Sequence, residues 1–157
     1  MHSILFILAS VAVSGRIYVI GGLYGPDGPL SSTHRFSNRA NKWKELVPLN
    51  TPRFGFSAIV IRNKIFAIGG RNNERSLNCV ETFDLESQVE EWVMFDTNMI
   101  RPRNECGVAV FNGQIWCLGG RGENTIERFD FGTKTWELVG KLGDIRHGMS
   151  CVMYPLF

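Results

Sequence analysis

Cysteine is scarce in this chain, with four in 157 residues and none in a Cys-x-x-Cys pair. That excludes a disulfide framework and a zinc finger as the organising device. No apolar run reaches the roughly 18 residues that a membrane-spanning helix needs, so no membrane partner is expected. A charge of one sign is lacking too, since seventeen basic against fifteen acidic side chains leave a formal net charge of +2. A dedicated nucleic-acid binder would carry a larger basic excess, so nucleic acid is not an expected partner. Helical periodicity is absent over any useful length. Glycine is what the chain has in quantity, seventeen residues against a usual share of roughly 7%. The composition points to one soluble, turn-rich domain.

Cys79, Cys106, Cys117 and Cys151 stand 27, 11 and 34 residues apart, each in or beside an apolar strand-like run such as Gln114-Ile115-Trp116-Cys117-Leu118. They read as buried, reduced thiols. Cys106, three residues after Arg103, is the one candidate for a thiol activated by a cation. At the N-terminus, the run from Ile4 to Ala9 has the character of a secretory signal's apolar middle, but Met1-His2-Ser3 supplies no positive charge. The end of that run also has a place in the repeat described next. The expected location is therefore the cytoplasm, with secretion the minority alternative.

A double glycine closing an apolar run occurs three times, at Gly21-Gly22, Gly69-Gly70 and Gly119-Gly120, at spacings of 48 and 50 residues. Similar segments precede the pairs: Arg16 to Ile20, Lys64 to Ile68 and Gln114 to Leu118. An aromatic-centred strand follows each, Thr33 to Ser37, Val80 to Asp84 and Ile126 to Asp130, and then a tryptophan, Trp43, Trp92 or Trp136. A small apolar strand comes before each: Ala9 to Val13, Ser57 to Ile61 and Gly107 to Phe111. The unit is thus a blade of four short strands. Runs such as Ile17-Tyr18-Val19-Ile20 do not alternate with period two, so both faces must be buried, which face-to-face stacking of blades accomplishes. The glycine pairs allow positive φ and close backbone approach, and the tryptophans serve as wedges between blades.

A period near 50 with Gly-Gly, a central aromatic and a late tryptophan resembles the kelch repeat. The resemblance runs from Ala9 to Tyr154 and implies an all-β, kelch-type β-propeller of four-stranded antiparallel blades. It is partial: residues 9–50, 51–100 and 101–143 form three blades, and 144–157 begin a fourth with its first strand. Propellers of this family have six blades. Leu5 stands where the pattern of Arg53 and Arg103 predicts arginine, so residues 1–8 are expected to lie outside the kelch sequence. The arginines before each blade, Arg53, Arg103 and Arg146, look most like those of BTB–kelch adaptors, which recruit substrates to cullin-RING ubiquitin ligases. A fragment or truncated isoform of such an adaptor is the expectation.

That resemblance implies a non-enzymatic protein-interaction module with its contact surface on one rim. The implied contact residues are Arg53, Arg103 and Arg146 between blades, Tyr24 in the first inner loop, Arg71, Asn72 and Asn73 in the second, and Arg121 and Asn124 in the third. Gly69-Gly70-Arg71-Asn72-Asn73 matches a ligand-contacting run of well-studied adaptors. Arginine binds carboxylate or phosphate bidentately and keeps its charge, so a protein or acidic peptide is the implied ligand. The same arginines have an alternative role, pairing with Glu81 or Glu127 inside a blade and fastening loops. An actin-binding cytoskeletal kelch protein is the alternative function. Catalysis finds no support: His2, His34 and His147 with Tyr24 do not supply a copper-oxidase ligand set, no phosphate loop or nucleophile elbow occurs, and no cofactor is expected.

Overall fold

A computed structural model of the chain describes residues 5–151. The strands run in the order β1 (Leu5–Phe6), β2 (Ala9–Val13), β3 (Arg16–Ile20), then a small hairpin of β4 (Leu23–Tyr24) and β5 (Gly28–Pro29) around a single 3-10 turn. β6 (Thr33–Ser37) and β7 (Lys42–Leu46) complete the first blade, whose order is β2-β3-β6-β7. The second blade is β8 (Ser57–Ile61), β9 (Lys64–Ile68), β10 (Val80–Asp84) and β11 (Trp92–Met94). The third is β12 (Gly107–Phe111), β13 (Gln114–Leu118), β14 (Thr125–Asp130) and β15 (Thr135–Lys141). All pairings are antiparallel. The first strands β2, β8 and β12 lie side by side, so they form the inner edge of a partial propeller.

Each blade opens with the same two-residue hairpin turn: Ser14-Gly15, Arg62-Asn63 and Asn112-Gly113 all have both φ angles between 50° and 70°. Two consecutive positive φ values suit the right-handed twist of the flanking strands. That turn fixes the register, which in turn sends alternate side chains to opposite faces. Tyr18 and Ile20 of the first blade thus meet Ile65, Ala67, Phe83 and Trp92 of the second. Phe66, Ile68 and Val80 of the second meet Ile115, Cys117, Phe129 and Trp136 of the third. The core is therefore two separate seams between blades.

The seams show what the tryptophans do. Trp92 and Trp136 are buried against the blade that precedes them, and the Trp92 indole N–H donates to Thr33 Oγ1 at 3.1 Å. Val80 holds the place of Thr33 in the next blade, and the buried Trp136 Nε1 has no partner among the described residues. Trp43 departs from the expected burial and is 56% exposed. No blade precedes the first among the described residues, so Trp43 has only Phe36 of its own blade, with ring centroids 5.2 Å apart.

The glycine pairs close these seams. Gly69 has φ 64°, and a β-carbon there would lie 2.5 Å from the Arg103 carbonyl oxygen. Gly70 N–H donates to that same oxygen at 2.7 Å, as Gly22 does to Arg53 and Gly120 to Arg146. Each pair thus receives the backbone of the chain entering the next blade.

Residues 1–4 lie outside the described residues, but the rest of the segment expected to stand apart does not. Phe6 pairs with Leu23 as Phe54 pairs with Arg71, and the Ile7 carbonyl accepts from Gly55 N–H at 3.2 Å. The backbone of residues 5–8 thus follows the path of 53–56, because these contacts are made by main-chain groups and tolerate Leu5 in place of arginine. Residues 144–151 contain no strand, and 152–157, where most of a fourth blade's first strand was expected, lie outside the described residues.

Candidate functional site

Arginine entering a blade carries five donors that must all be used if the side chain is buried. Arg53 and Arg103 are 0% and 1% exposed, which withdraws both from the contact surface. The Arg103 Nη1 donates to the carbonyls of Gly119 at 2.6 Å and Thr125 at 2.8 Å. Its Nη2 donates to Thr125 Oγ1 at 2.6 Å and Glu127 Oε1 at 2.8 Å, and its Nε to the same carboxylate at 3.1 Å. Arg53 repeats the pattern with Gly69, Cys79 and Glu81. The carboxylates face backward as well: Glu127 accepts from the N–H groups of Ile100 and Arg101 at 2.7 and 2.9 Å, and Glu81 from Asn50 and Thr51 at 2.7 and 3.0 Å. Arg53 and Arg103 are fasteners, because a buried guanidinium without these partners would be too costly to desolvate.

The first blade has neither half of this device, with Leu5 at the arginine's place and His34 paired to Val19 where Glu81 pairs to Ala67. Loss of both together avoids a lone buried charge. Arg146 is exposed, and its guanidinium makes no ion pair among the described residues.

The inner loops do reach the rim at the glycine ends of the strands. Arg71 is half-buried, bridged through its backbone to Phe54 and Ser76, and its guanidinium has no partner among the described residues. Asn72 serves the loop itself: its Oδ1 accepts from the N–H groups of Glu74 and Arg75 at 3.0 and 2.8 Å. Asn73 is exposed and lies beside Gly28, so it touches the first blade's hairpin. Tyr24 is half-buried on β4. Arg121 is exposed and forms an ion pair with Glu105 at 3.5 Å. Asn124 donates to the Leu142 carbonyl at 3.4 Å. Desolvation works against the Glu123 charge, yet hydrogen bonds from Thr125 and Asn124 hold its carboxyl below the ordinary range.

An open groove of about 250 Å³ on this rim brings Asn72, Asn73 and Glu74 together with Pro29 and Pro52. The larger cavity, about 460 Å³, opens at the opposite ends of the strands around Arg62, Lys64, Phe66 and Phe131 and contains none of the expected contact residues. Two of its cations are engaged, Lys64 on Asp84 at 2.9 Å and Arg62 over the Phe131 ring at 4.1 Å. Cys106 is corrected as well: burial pushes its thiol up to about 11, outweighing the nearby Arg103 charge, so it is not an activated nucleophile. Among the described residues, no three His, Cys, Asp or Glu side chains converge on a metal-binding point.

Sequence reasoning weighed His147 only as a copper ligand and passed over Glu105, which pairs with it at 2.9 Å on the rim, and Asn50, which links Glu81 to the Trp92 carbonyl. The available signal for Glu105 was its place 50 residues after Gly55.

Comparison with known proteins agrees with this geometry. The family described as the KLHDC2/KLHL20/DRC7 Kelch-repeats domain matches residues 5–155. Human Kelch-like protein 33 is 34% identical over 116 residues, covering 73% of this chain and 21% of its own length. Human Kelch-like protein 23 is 29% identical over 144 residues, covering 87% and 24%, and zebrafish Kelch-like ECH-associated protein 1B is 33% identical, covering 72% and 19%. The chain spans about a quarter or less of the length of these curated relatives. The solved structure of YjhT superposes with a TM-score of 0.75 at 15% identity, covering 91% of this chain and 54% of that one.

Proposed function

The chain belongs to the kelch-repeat domain family, and we propose that it acts as a protein-binding module whose glycine-end rim grips an acidic segment of a partner. The observation that carries this is the division among its arginines. Arg53 and Arg103 are consumed inside the blades, whereas Arg71 and Arg121 stand on loops at one rim, the Arg71 guanidinium without a partner among the described residues and the exposed Arg121 joined to Glu105 alone among them. A planar guanidinium held at a rim offers two parallel donors to carboxylate or phosphate. We extend the proposal to a longer Kelch-like polypeptide, in which this rim would hold the substrate of a cullin-RING ubiquitin ligase.

Fluorescence anisotropy with a labelled hexaglutamate peptide tests the binding reading. The double variant R71A/R121A is expected to weaken binding at least tenfold, since a hydrogen bond to a charged group contributes about 1.5–3 kcal/mol. Equal binding by the variant and the parent would remove the rim arginines from the function.

A further inference from the structure

Four residues at equivalent positions of the repeat have left-handed backbones: Ile7, Gly55 and Glu105 ahead of the inner strands β2, β8 and β12, and Gly148 in the segment after β15, with φ of 52°, 59°, 55° and 64°. They are joined in series, Gly55 N–H to the Ile7 carbonyl at 3.2 Å, Glu105 N–H to Gly55 at 2.6 Å and Gly148 N–H to Glu105 at 2.9 Å. This ladder steps from blade to blade on the rim that carries Arg71 and Arg121, whose backbones bond to its neighbours Phe54 and Asn104. Glycine suits such a backbone best because a β-carbon is disfavoured there. Two of the four positions have glycine, yet Glu105 places a carboxylate on the ladder.

The Glu105 carboxylate meets polar groups of two neighbouring segments. Its side-chain partners among the described residues are Arg121 Nη2 at 3.5 Å and His147 Nδ1 at 2.9 Å. Arg121 and His147 are 64% and 50% exposed, so they open on solvent, whereas the Glu105 side chain, 18% exposed, is held between them. Glu105 reaches Arg121 from the loop before β12, His147 comes from the segment after β15, and the carboxylate lies between the two possible cationic groups.

We infer that Glu105 is a built-in competitor for the rim, occupying Arg121 and His147 as a ligand's carboxylate would. This rests on the proposal that the rim takes an acidic ligand. The consequence is selectivity by charge density: a single ligand carboxylate merely replaces Glu105, whereas a stretch of adjacent acidic or phosphorylated residues also gains Arg71. Glu105 is thus a specificity-determining residue that discriminates against weakly charged peptides.

The experiment compares the parent chain with E105G and E105Q by hexaglutamate anisotropy, with thermal unfolding as the check on folding. Release of an exposed ion pair predicts binding about two- to fivefold tighter in both variants. R121A placed on E105G should cancel the gain. E105G should melt no lower than the parent, since glycine relieves the left-handed backbone; E105Q decides the matter should E105G fail to fold. If a folded E105Q binds no tighter while R121A still weakens the parent, the competitor role is wrong and the acidic-ligand rim stands. If neither the parent nor either variant binds hexaglutamate, both are overturned.

Discussion

Replacing Arg103 with methionine keeps much of the side chain's volume and deletes its five hydrogen bonds to Gly119, Thr125 and Glu127. Among the described residues, Glu127, 0% exposed, is left with the N–H groups of Ile100 and Arg101. Removing one partner of a buried ion pair costs about 3–5 kcal/mol, and at about 2–4 °C per kcal/mol for a chain of this size the melting temperature should fall by roughly 6–20 °C. Thermal and urea unfolding followed by tryptophan fluorescence would read this, because Trp136 packs on Phe129 with centroids 5.3 Å apart. Adding E127Q to R103M should recover part of the loss, since no charge remains buried and the amide oxygen still accepts from one of the two backbone N–H groups. R121A is the control and should cost at most about 1 kcal/mol, as for exposed pairs. A fall of less than about 2 °C for R103M, or one no larger than for R121A, would refute the fastening role.

Gly69→Ala should destabilise by about 3 kcal/mol or more, because the new methyl meets the Arg103 carbonyl at 2.5 Å on a left-handed backbone; urea unfolding would measure it. Trp92→Ala should cost about 3–5 kcal/mol, whereas Trp43→Ala, at a residue 56% exposed, should cost less than about 1 kcal/mol by the same assay. The Cys106 thiol is raised to about 11 by burial, so the folded state holds a proton that the unfolded state releases near pH 9. Stability is therefore full below pH 9 and falls as pH rises toward 11, by about 1.4 kcal/mol per pH unit for this one group. In C106A that slope should shrink by the same amount in unfolding curves collected from pH 8 to 11.

The strands were legible because each blade must bury both faces in the same register. The lines Lys64 to Ile68 and Val80 to Asp84 coincide with β9 and β10, and the shared hairpin turn leaves little freedom between them. Trp92 and Trp136 were legible for the same reason. Trp43 was not, because burial of a blade's tryptophan is decided by the preceding blade and not by its own sequence. The direction of Arg53 and Arg103 was open, since a guanidinium before a strand can point outward or fold back. Only the three-dimensional approach of Glu81 and Glu127 settles which. Residues 5–8 misled because their blade-like contacts run through main-chain groups, which a missing arginine does not disturb. Glu105 was hidden by similarity in the opposite sense, a glycine position filled by a charged residue.

The division of arginines into fasteners and rim contacts can be observed directly by NMR of the arginine Nε–H groups, recorded with and without hexaglutamate. Buried, hydrogen-bonded Nε–H groups exchange slowly with water, whereas exposed ones exchange fast. Arg53 and Arg103 should give slowly exchanging signals unmoved by the peptide, while Arg71 and Arg121 exchange quickly and shift on its addition. Fast exchange or peptide-induced shifts at Arg53 and Arg103, with Arg71 and Arg121 unmoved, would contradict both the fastening of the blades and the proposed rim.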